Sequence, residues 1–528
     1  MNGGKNETRR FSRADLWFAG AALLLALFFV SAELIRSVEP LGIDQGLFAC
    51  FARFVPRGFL PYRDLFDSKP PLFLYSYALS GLFPTDLVHA IWWLEALWLV
   101  GILALGYALG ARVWGRFAGL AAAALLFLGL WAPGFGGYWS RAQADELLAL
   151  PLLGAAWLAW GALDRPRLAL YAGVLTGVAG LFKIPSMAVA AAWPLTWLLA
   201  GSLAGSLRRT WKMALGLLAP WALAIAWFAA HHAFGSFVEG VFIYAKENSA
   251  FIAPPWSQVI PAFFSELGSG APLLLALAAL GLALLFRRRA REAWWLATWI
   301  GFTLASVMLE RQLAGYQYLL VIPGLAMAGG FALVELGRGA LASGPHRSGW
   351  RLGLAGALGL AALSFFQWGR AYALDARALT HELTRSEYLS RLQTGGFSSE
   401  TEEKAARYLR EHTAPTDGIL VWGLSPGIYA LADRHPVTRF PFHKILLTRA
   451  PLSLMIPGLS ERRAALLQRI AADPPVYVLV ARHDRNGFEP EDSFHSLMEF
   501  APLRDLLERD YRPETEIGRF LFLRRIQP

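Results

Sequence analysis

The chain has 528 residues, of which 55% are hydrophobic, with 21 tryptophan and 35 phenylalanine residues. Its mean hydropathy of +0.40 excludes an ordinary soluble protein of this length and indicates a membrane protein. The net charge of +10 comes mostly from short Lys and Arg clusters between apolar runs, not from one basic face. This distribution argues against a nucleic-acid partner and favours membrane topology. The single cysteine, Cys50, excludes an intramolecular disulfide.

The N-terminus combines basic residues with an apolar run over residues 16–30. Lys5, Arg9, Arg10 and Arg13 supply the positive charge. A cleaved signal peptide is the alternative interpretation, but the run is long for a signal core and no clear cleavage pattern follows it. The sequence therefore favours an uncleaved first membrane helix.

Apolar runs long enough to cross roughly 30 Å of hydrocarbon recur through the first two thirds of the chain. We predict about eleven spans from this pattern. They cover residues 16–34, 87–109, 117–131, 146–163, 168–181, 187–203, 213–230, 271–286, 293–308, 313–334 and 352–366.

Alternate short connections between these runs are basic, as cytoplasmic loops are. The N-terminus is therefore predicted to be cytoplasmic, and residues 34–87, 133–141, 231–270 and the C-terminus to lie outside. The first outer loop nevertheless carries several positive charges, which indicates that function retains them there. These are Arg36, Arg53, Arg57, Arg63 and Lys69.

The composition becomes that of a soluble domain after about residue 369. A charged helical stretch at 399–412, with a cap at Ser399, and short β-like runs at 419–422, 476–480 and 520–523 predict a small α/β domain. The predicted fold is thus a polytopic α-helical membrane domain, residues 1–369, followed by an extracytoplasmic α/β domain, residues 370–528.

The first outer loop contains the residues best suited to chemistry. Asp44 comes shortly after a membrane helix, where a carboxylate needs water or a partner. It suits either catalysis or a helix N-cap. Lys69 precedes two prolines that fix the backbone, so its ammonium is either presented to a ligand or snorkels from a proline-started helix. Arg63, Asp64 and Asp67 also suit a surface salt-bridge group.

The second outer turn places Asp145 and Glu146 at the mouth of a membrane helix. Adjacent acids there can hold a divalent cation or orient a hydroxyl, and they also complement the helix dipole. Lys183 and Arg311 add positive charge near the same surface, as ligand-binding groups or as interfacial anchors.

Together these motifs resemble the membrane glycosyltransferases of the GT-C class. The pattern is similar to the bacterial family that includes lipid A aminoarabinose transferase, core galacturonosyltransferases and protein O-mannosyltransferases. The segments that carry the resemblance are Asp44-Gln45-Gly46, Pro61-Tyr62-Arg63-Asp64, Lys69-Pro70-Pro71-Leu72, Asp145-Glu146, Lys183-Ile184-Pro185 and Tyr316-Gln317-Tyr318-Leu319-Leu320 with Pro323.

The resemblance implies a donor sugar carried on polyprenyl phosphate, with Asp44 in the position of the general base. It also implies that Lys69, before the double proline, contacts the donor phosphate. In the aminoarabinose enzyme a glutamate implicated in metal binding precedes this lysine, where the present chain has Ser68. Gln317 replaces a histidine often found beside the late tyrosine. Both departures argue against a divalent cation at this position, for which Asp67 is the substitute ligand, and no other cofactor is expected.

The chemistry of such a transfer assigns further residues. The acceptor hydroxyl needs a carboxylate base, and the phosphate leaving group needs preorganised cations. Besides Lys69, the predicted donor phosphate-binding residues are Arg63, Lys183 and Arg311. Asp67, Asp145 and Glu146 are predicted to orient the acceptor or a metal, and Tyr316, Gln317 and Tyr318 to line the site.

The predicted function is an inverting glycosyltransferase of the bacterial inner membrane, whose acceptor is an envelope lipid, glycan or protein. The alternative is a transporter or flippase of lipid-linked envelope precursors, although no inverted repeat or pair of Gly/Pro-broken helices stands out. An inactive scaffold for an envelope partner is the third interpretation. Asp44 together with Lys69 discriminates between them, because only the enzyme needs a base beside a phosphate-binding cation.

Overall fold

The computed structural model describes residues 12–83, 85–247, 254–343, 346–447, 458–486 and 491–526. The basic residues Lys5, Arg9 and Arg10 of the predicted cytoplasmic start lie outside these ranges. The first apolar run forms the helix Arg13–Arg36, which begins at a capping box between Ser12 and Asp15.

Four of the described helices are long and apolar enough to cross a membrane. They are Arg13–Arg36, Leu87–Trp114, Leu203–Ala230 and Arg347–Leu379. The helices Trp256–Gly270 and Pro272–Arg288, bent by 97° at their junction, form a fifth candidate as a pair. The other predicted spans fall on helices that do not combine the length and the hydropathy needed for a crossing, so the count of about eleven stays a prediction. These helices are Arg116–Leu130, Ala149–Ala162, Leu168–Gly180, Ala192–Leu199, Ala290–Glu310 and Ile322–Leu341.

Small residues allow the apolar helices to approach closely. A Cβ on Gly173 would overlap the carbonyl of Met213, and a Cβ on Gly216 would overlap the carbonyl of Leu170. The helices Leu168–Gly180 and Leu203–Ala230 therefore touch backbone to backbone, as is common where lipid provides no hydrophobic drive for association.

The connections predicted to lie outside are largely helical. The first contains the helix Ile43–Phe54, a 3₁₀ turn at Val55–Arg57 and the helix Pro71–Ser80, which starts at a proline as one interpretation of the Lys69 motif predicts. The second contains two 3₁₀ turns and the short helix Ala144–Leu147. In the third, the helix Phe234–Val238 continues as a π-helix, Glu239–Tyr244.

The C-terminal part contains a four-stranded sheet of β1 (Ile419–Trp422), β2 (Tyr477–Ala481), β3 (Tyr511–Ile517) and β4 (Phe520–Arg525). The spatial order is β1-β2-β4-β3, with β1 parallel to β2 and the other two pairs antiparallel. Three strands match the predicted runs to within two residues. The sequence missed β3 because its side chains are mostly exposed and polar, so no apolar run marks it.

Helices cover this sheet and join it to the membrane half. They are Arg385–Ser390, Ser399–His412, Gly427–Ala432, Leu459–Ala472, Ser493–Glu499 and Ala501–Asp510. The cap of Ser399–His412 is Ser398, one residue before the predicted Ser399, because the Ser398 hydroxyl accepts the Thr401 amide.

The sheet and the membrane helices share one continuous apolar core. Ile419, Tyr477 and Phe522 of the sheet belong to the same buried cluster as Phe48 and Phe51 of the first outer connection. The helix Arg347–Leu379 also runs across the predicted boundary between residues 369 and 370. The division into two domains stays a prediction, and we use "tail" below for residues 380–526.

Candidate active site

Asp44 is the second residue of the helix Ile43–Phe54, and its side chain is half-buried. Gly42 is the N-cap of this helix, so the interpretation of Asp44 as the cap is wrong. An aspartate in the first turn still favours the helix dipole, but its carboxylate is available for another role. Asp44 Oδ2 accepts a hydrogen bond of 3.2 Å from the amide of Gln143.

The neighbouring residue locks this helix to the second outer turn. Gln45 is fully buried, and its amide donates to the carbonyls of Tyr138, Trp139 and Arg141 at 3.1, 3.1 and 2.9 Å. Asp44 is therefore held on a fixed backbone opposite the turn that carries Gln143, Asp145 and Glu146.

Two of the predicted phosphate-binding cations meet at one ring. The ammonium groups of Lys69 and Lys183 each lie 5.8 Å from the ring centroid of Tyr316, within the range of cation–π attraction. The carboxylates of Asp44, Asp67, Asp145 and Glu310 all act electrostatically on the Tyr316 hydroxyl. Residues from four separate parts of the sequence thus converge on Tyr316.

Lys183 is already neutralised by protein groups. Its ammonium lies 2.8 Å from both oxygens of Asp145 and 2.8 Å from Glu310 Oε2. Burial alone would lower the pKa of Lys183, but these two carboxylates raise it above its ordinary value. Lys183 is therefore charged but committed to its acidic partners. Within the described ranges the Lys69 ammonium makes no ion pair, which leaves Lys69 as the more available cation at Tyr316.

Asp67 lies two residues before Lys69, and its carboxylate bonds to the backbone of its own loop. Its Oδ1 accepts the backbone amides of Ser68 and Lys69 at 2.5 and 3.0 Å, while Oδ2 is buried and has no hydrogen-bond partner among the described residues. Burial raises the pKa of Asp67 to about 6, although Lys69 and the two amides oppose this rise. The carboxyl thus orients the backbone on which Lys69 is presented.

Asp145 and Glu146 point to different partners. Asp145 binds Lys183, whereas Glu146 Oε2 accepts the backbone amide of Ala142 at 2.6 Å. The structure does not bring the two carboxylates to one point. Across the part of the chain that the structure describes, no three His, Cys, Asp or Glu side chains form a group able to hold a metal ion.

The other two predicted phosphate-binding cations, Arg63 and Arg311, contact protein groups away from Tyr316. Arg63 is exposed and pairs with Asp64 at 2.8 Å, as the salt-bridge interpretation predicts. Arg311 donates to the carbonyl of Pro254, and its guanidinium lies 5.0 Å from the ring of Trp256. Their phosphate-binding role stays a prediction.

The three predicted lining residues, Tyr316, Gln317 and Tyr318, have different surroundings. Gln317 donates to Glu310 at 2.8 Å and so supports the acidic partner of Lys183. Tyr318 is fully buried, stacks on Phe135 with centroids 5.6 Å apart and donates to the carbonyl of Phe263. Of the three predicted lining residues, Tyr316 faces the lysines, whereas Tyr318 packs in the core.

Sequence reasoning did not assign Gln143 or Glu310 to the site. It did not assign Glu95 to the site either. Glu95 receives a hydrogen bond of 2.9 Å from the buried Arg141, which also lies 2.7 Å from Glu39 Oε2. A carboxylate in an apolar helix needs such a partner, so Glu95 itself was the sequence signal for this charged network. The Arg141 network fixes the turn that presents Gln143 to Asp44.

No protein-family model and no curated protein sequence matches the chain. Its structure is similar to that of ArnT from Cupriavidus metallidurans bound to undecaprenyl phosphate, with a TM-score of 0.60 and 16% identity over 96% of this chain and 98% of that one. It is also similar to the Archaeoglobus fulgidus oligosaccharyltransferase in the apo form, with a TM-score of 0.54 and 14% identity over 88% of this chain and 69% of that one. The structure of AglB from Archaeoglobus fulgidus in complex with an inhibitory peptide and a dolichol-phosphate is similar as well, with a TM-score of 0.50 and 13% identity over 96% of this chain and 74% of that one.

These similarities establish the fold. The chain is a helical, multi-pass membrane protein with the architecture of ArnT and AglB, which are GT-C glycosyltransferases. The resemblance drawn from the short motifs is therefore confirmed at the level of the fold.

Proposed function

We propose that the protein is a glycosyltransferase that moves a sugar from a polyprenyl-phosphate donor to a hydroxyl group of a cell-envelope lipid, glycan or protein. The observation that carries the proposal is the convergence of Asp44 and Lys69 on Tyr316, in the fold of ArnT. A carboxylate base and, within the described ranges, a cation without an ion-pair partner around one tyrosine suit a reaction in which a hydroxyl attacks and a phosphate leaves.

The proposed step needs one proton transfer and one displacement. The acceptor hydroxyl gives its proton to Asp44 while its oxygen bonds to the anomeric carbon. The bond between that carbon and the phosphate oxygen breaks, and the electron pair leaves with polyprenyl phosphate. Displacement in one step inverts the anomeric centre. Lys69 stabilises the charge that develops on the phosphate, and Gln143 orients Asp44 through its amide.

The acidic residues around Tyr316 have supporting roles in this proposal. Asp145 and Glu310 hold Lys183, and Asp67 holds the backbone of Lys69. Asp67 and Asp145 also stay candidates for orienting the acceptor. Within the described ranges the acids and Gln317 do not fit a divalent cation site, because they bind amides or ammonium groups separately.

The membrane position follows from the donor. A polyprenyl tail lies in the bilayer with its phosphate at the surface, so the reacting groups belong on connections between spans. We place the site on the outer face of the bacterial inner membrane, with a cytoplasmic N-terminus and an extracytoplasmic tail. The basic clusters on the opposite connections support this orientation.

The test of the base is Asp44→Asn, measured as sugar transfer from labelled polyprenyl-phosphate donor in purified membranes. Loss of a general base lowers the rate by about 10²- to 10⁴-fold. The matched control is Asp86→Asn, because Asp86 caps the helix Leu87–Trp114 and asparagine caps equally well. Full activity of Asp44→Asn would remove Asp44 from the mechanism. Donor translocation by a wild-type protein that transfers no sugar would favour the flippase.

The phosphate-binding role of Lys69 is tested separately. Lys69→Ala is expected to raise the KM for the donor and leave the KM for the acceptor unchanged, because Lys69 binds the phosphate. Lys404→Ala is the control, since Lys404 is exposed and pairs with Glu400 in the tail. An unchanged donor KM would contradict the phosphate role. The sugar and acceptor would be identified by mass spectrometry of envelope lipids and glycans from a deletion strain.

A further inference from the structure

The tail contacts the loop that carries Asp67 and Lys69, which we define as the donor loop, residues 60–70. Phe66, immediately before Asp67, is fully buried in the apolar cluster of the tail sheet. Its ring centroid lies 5.8 Å from that of Phe440, and its backbone amide donates to the Arg439 carbonyl at 2.7 Å. The tail thus holds Phe66 by both its side chain and its backbone.

Arg439 ties the donor loop to a second element. Its guanidinium lies 5.3 Å from the ring of Phe66 and donates to the carbonyl of Tyr62 at 3.3 Å. The same group pairs with Glu239 at 2.8 Å, on the π-helix Glu239–Tyr244. Arg462 of the tail pairs with the other carboxylate oxygen of Glu239, at 3.2 Å.

The π-helix closes over the donor loop beside this ion pair. A Cβ on Gly240 would lie 2.6 Å from the carbonyl oxygen of Asp67 and 2.7 Å from the ring of Tyr62. A side chain there would push the two segments apart. The donor loop is therefore enclosed between the tail and the π-helix, and Arg439 bonds to both.

Hydrogen bonds inside the donor loop connect its enclosed residues to Lys69. The Tyr62 hydroxyl donates to the Lys69 carbonyl at 2.7 Å, and Asp67 accepts the Lys69 amide. Tyr62 has a left-handed backbone, with φ 68°, which a tyrosine adopts only where surrounding contacts enforce it. A shift of Tyr62 or Phe66 would therefore move the backbone that presents the Lys69 ammonium to Tyr316.

We propose that Arg439 is a positioning residue for donor binding, which clamps the donor loop between the tail and Glu239 so that Lys69 is held at Tyr316. This inference rests on the proposed function and deepens it, since it makes the tail a part of the donor site. Small displacements of groups that orient a substrate cost large factors in rate or affinity.

The test compares Arg439→Ala with Arg439→Lys, which keeps a charge for Glu239 but loses the planar contacts to Phe66 and Tyr62. We expect the donor KM to rise about tenfold in the alanine variant and less in the lysine variant, with the acceptor KM unchanged. Asp433→Asn is the control, because Asp433 pairs the tail with Arg57 at 2.8 Å, at a position outside the donor loop. Asparagine tolerates the left-handed backbone at this position.

Hydrogen exchange of residues 60–70 gives a readout that does not need activity. Arg439→Ala should speed exchange in this peptide and leave the sheet strands β1 and β2 unchanged. A folded alanine variant with an unchanged donor KM, or with unchanged exchange in residues 60–70, would overturn the positioning role. If the alanine variant does not fold, the lysine variant decides by the same two criteria. Absence of sugar transfer by the wild type would instead refute the proposed function, while the exchange measurement would still test the clamp.

Discussion

The ammonium group of Lys183 lies 2.8 Å from each carboxylate oxygen of Asp145, and both side chains are almost completely buried. Glu310 completes the group at 2.8 Å. Two carboxylates therefore share one ammonium in a place that water hardly reaches. Each charge is tolerated only because the others are present.

Removal of the ammonium should destabilise the protein strongly. Lys183→Met leaves Asp145 and Glu310 buried without their cation, which costs about 3–5 kcal/mol of unfolding free energy. The double variant Lys183→Met/Asp145→Asn should recover part of this loss, because it removes one of the orphaned charges. Thermal unfolding in detergent measures both. Lys404→Met, at an exposed ion pair, should change stability by less than about 1 kcal/mol. A Lys183→Met protein that melts like the wild type would contradict the mutual dependence of the three charges.

Asp67 should make stability depend on pH. Its pKa of about 6 in the folded protein lies above its ordinary value of 3.8, so the folded state binds this proton more tightly than the unfolded chain. The stabilisation is complete below about pH 3.8 and is lost as the pH rises through about 6. Relative to the wild type, Asp67→Asn should therefore gain about 2 kcal/mol between pH 4 and pH 8.

The measurement for Asp67 is the difference in melting temperature between the variant and the wild type at pH 4, 6 and 8. Asp164→Asn serves as the control, because the Asp164 side chain is 68% exposed. A difference that stays constant over this range would show that Asp67 does not titrate near pH 6 in the folded protein.

Gly46 should resist even the smallest substitution. A Cβ on Gly46 would lie 2.9 Å from Cα of Gly427 in the tail, closer than real Cβ contacts. In an ordinary helix interior, Gly→Ala gains about 1 kcal/mol. Gly46→Ala should instead separate the Asp44 helix from the tail and lower transfer activity at least about tenfold, because Asp44 lies half a turn away.

Gly20→Ala is the matched control for Gly46, since a Cβ on Gly20 meets nothing within 4 Å. It should retain activity and expression. Turnover with saturating donor and acceptor compares the two variants. Equal turnover would mean that the close approach of Gly46 and Gly427 does not set the position of Asp44.

Local pattern was enough to locate most helices and three strands. The apolar run at residues 87–109 falls within Leu87–Trp114, and the β-like run at 419–422 is β1. These features depend on the order of apolar and polar residues along the chain, which the sequence displays directly. One of the two interpretations of the prolines after Lys69, a proline-started helix, agrees with the observed start at Pro71.

Pairing within the site could be predicted less well. The sequence singled out Asp44, Lys69 and Lys183, but nothing local shows that Glu310 would neutralise Lys183 or that Gln143 would bond to Asp44. These partners, 99 and 127 residues apart, meet only when the helices between them have packed. The adjacent acids Asp145 and Glu146 illustrate this point, because neighbours in a helix face different directions and so acquire different partners.

The sequence by itself determined that this protein belongs in a membrane and that its first outer connection is chemically unusual, because hydropathy and charge are properties of the residues in order. Only the tertiary structure decided which charges are available. Among the described residues Lys69 has no ion-pair partner at Tyr316, Lys183 is held by two carboxylates, and Phe66 packs in the apolar cluster of the tail. The physical reason is that the ionisation and availability of a buried charge depend on the groups around it, and those groups come from segments that are distant in the sequence.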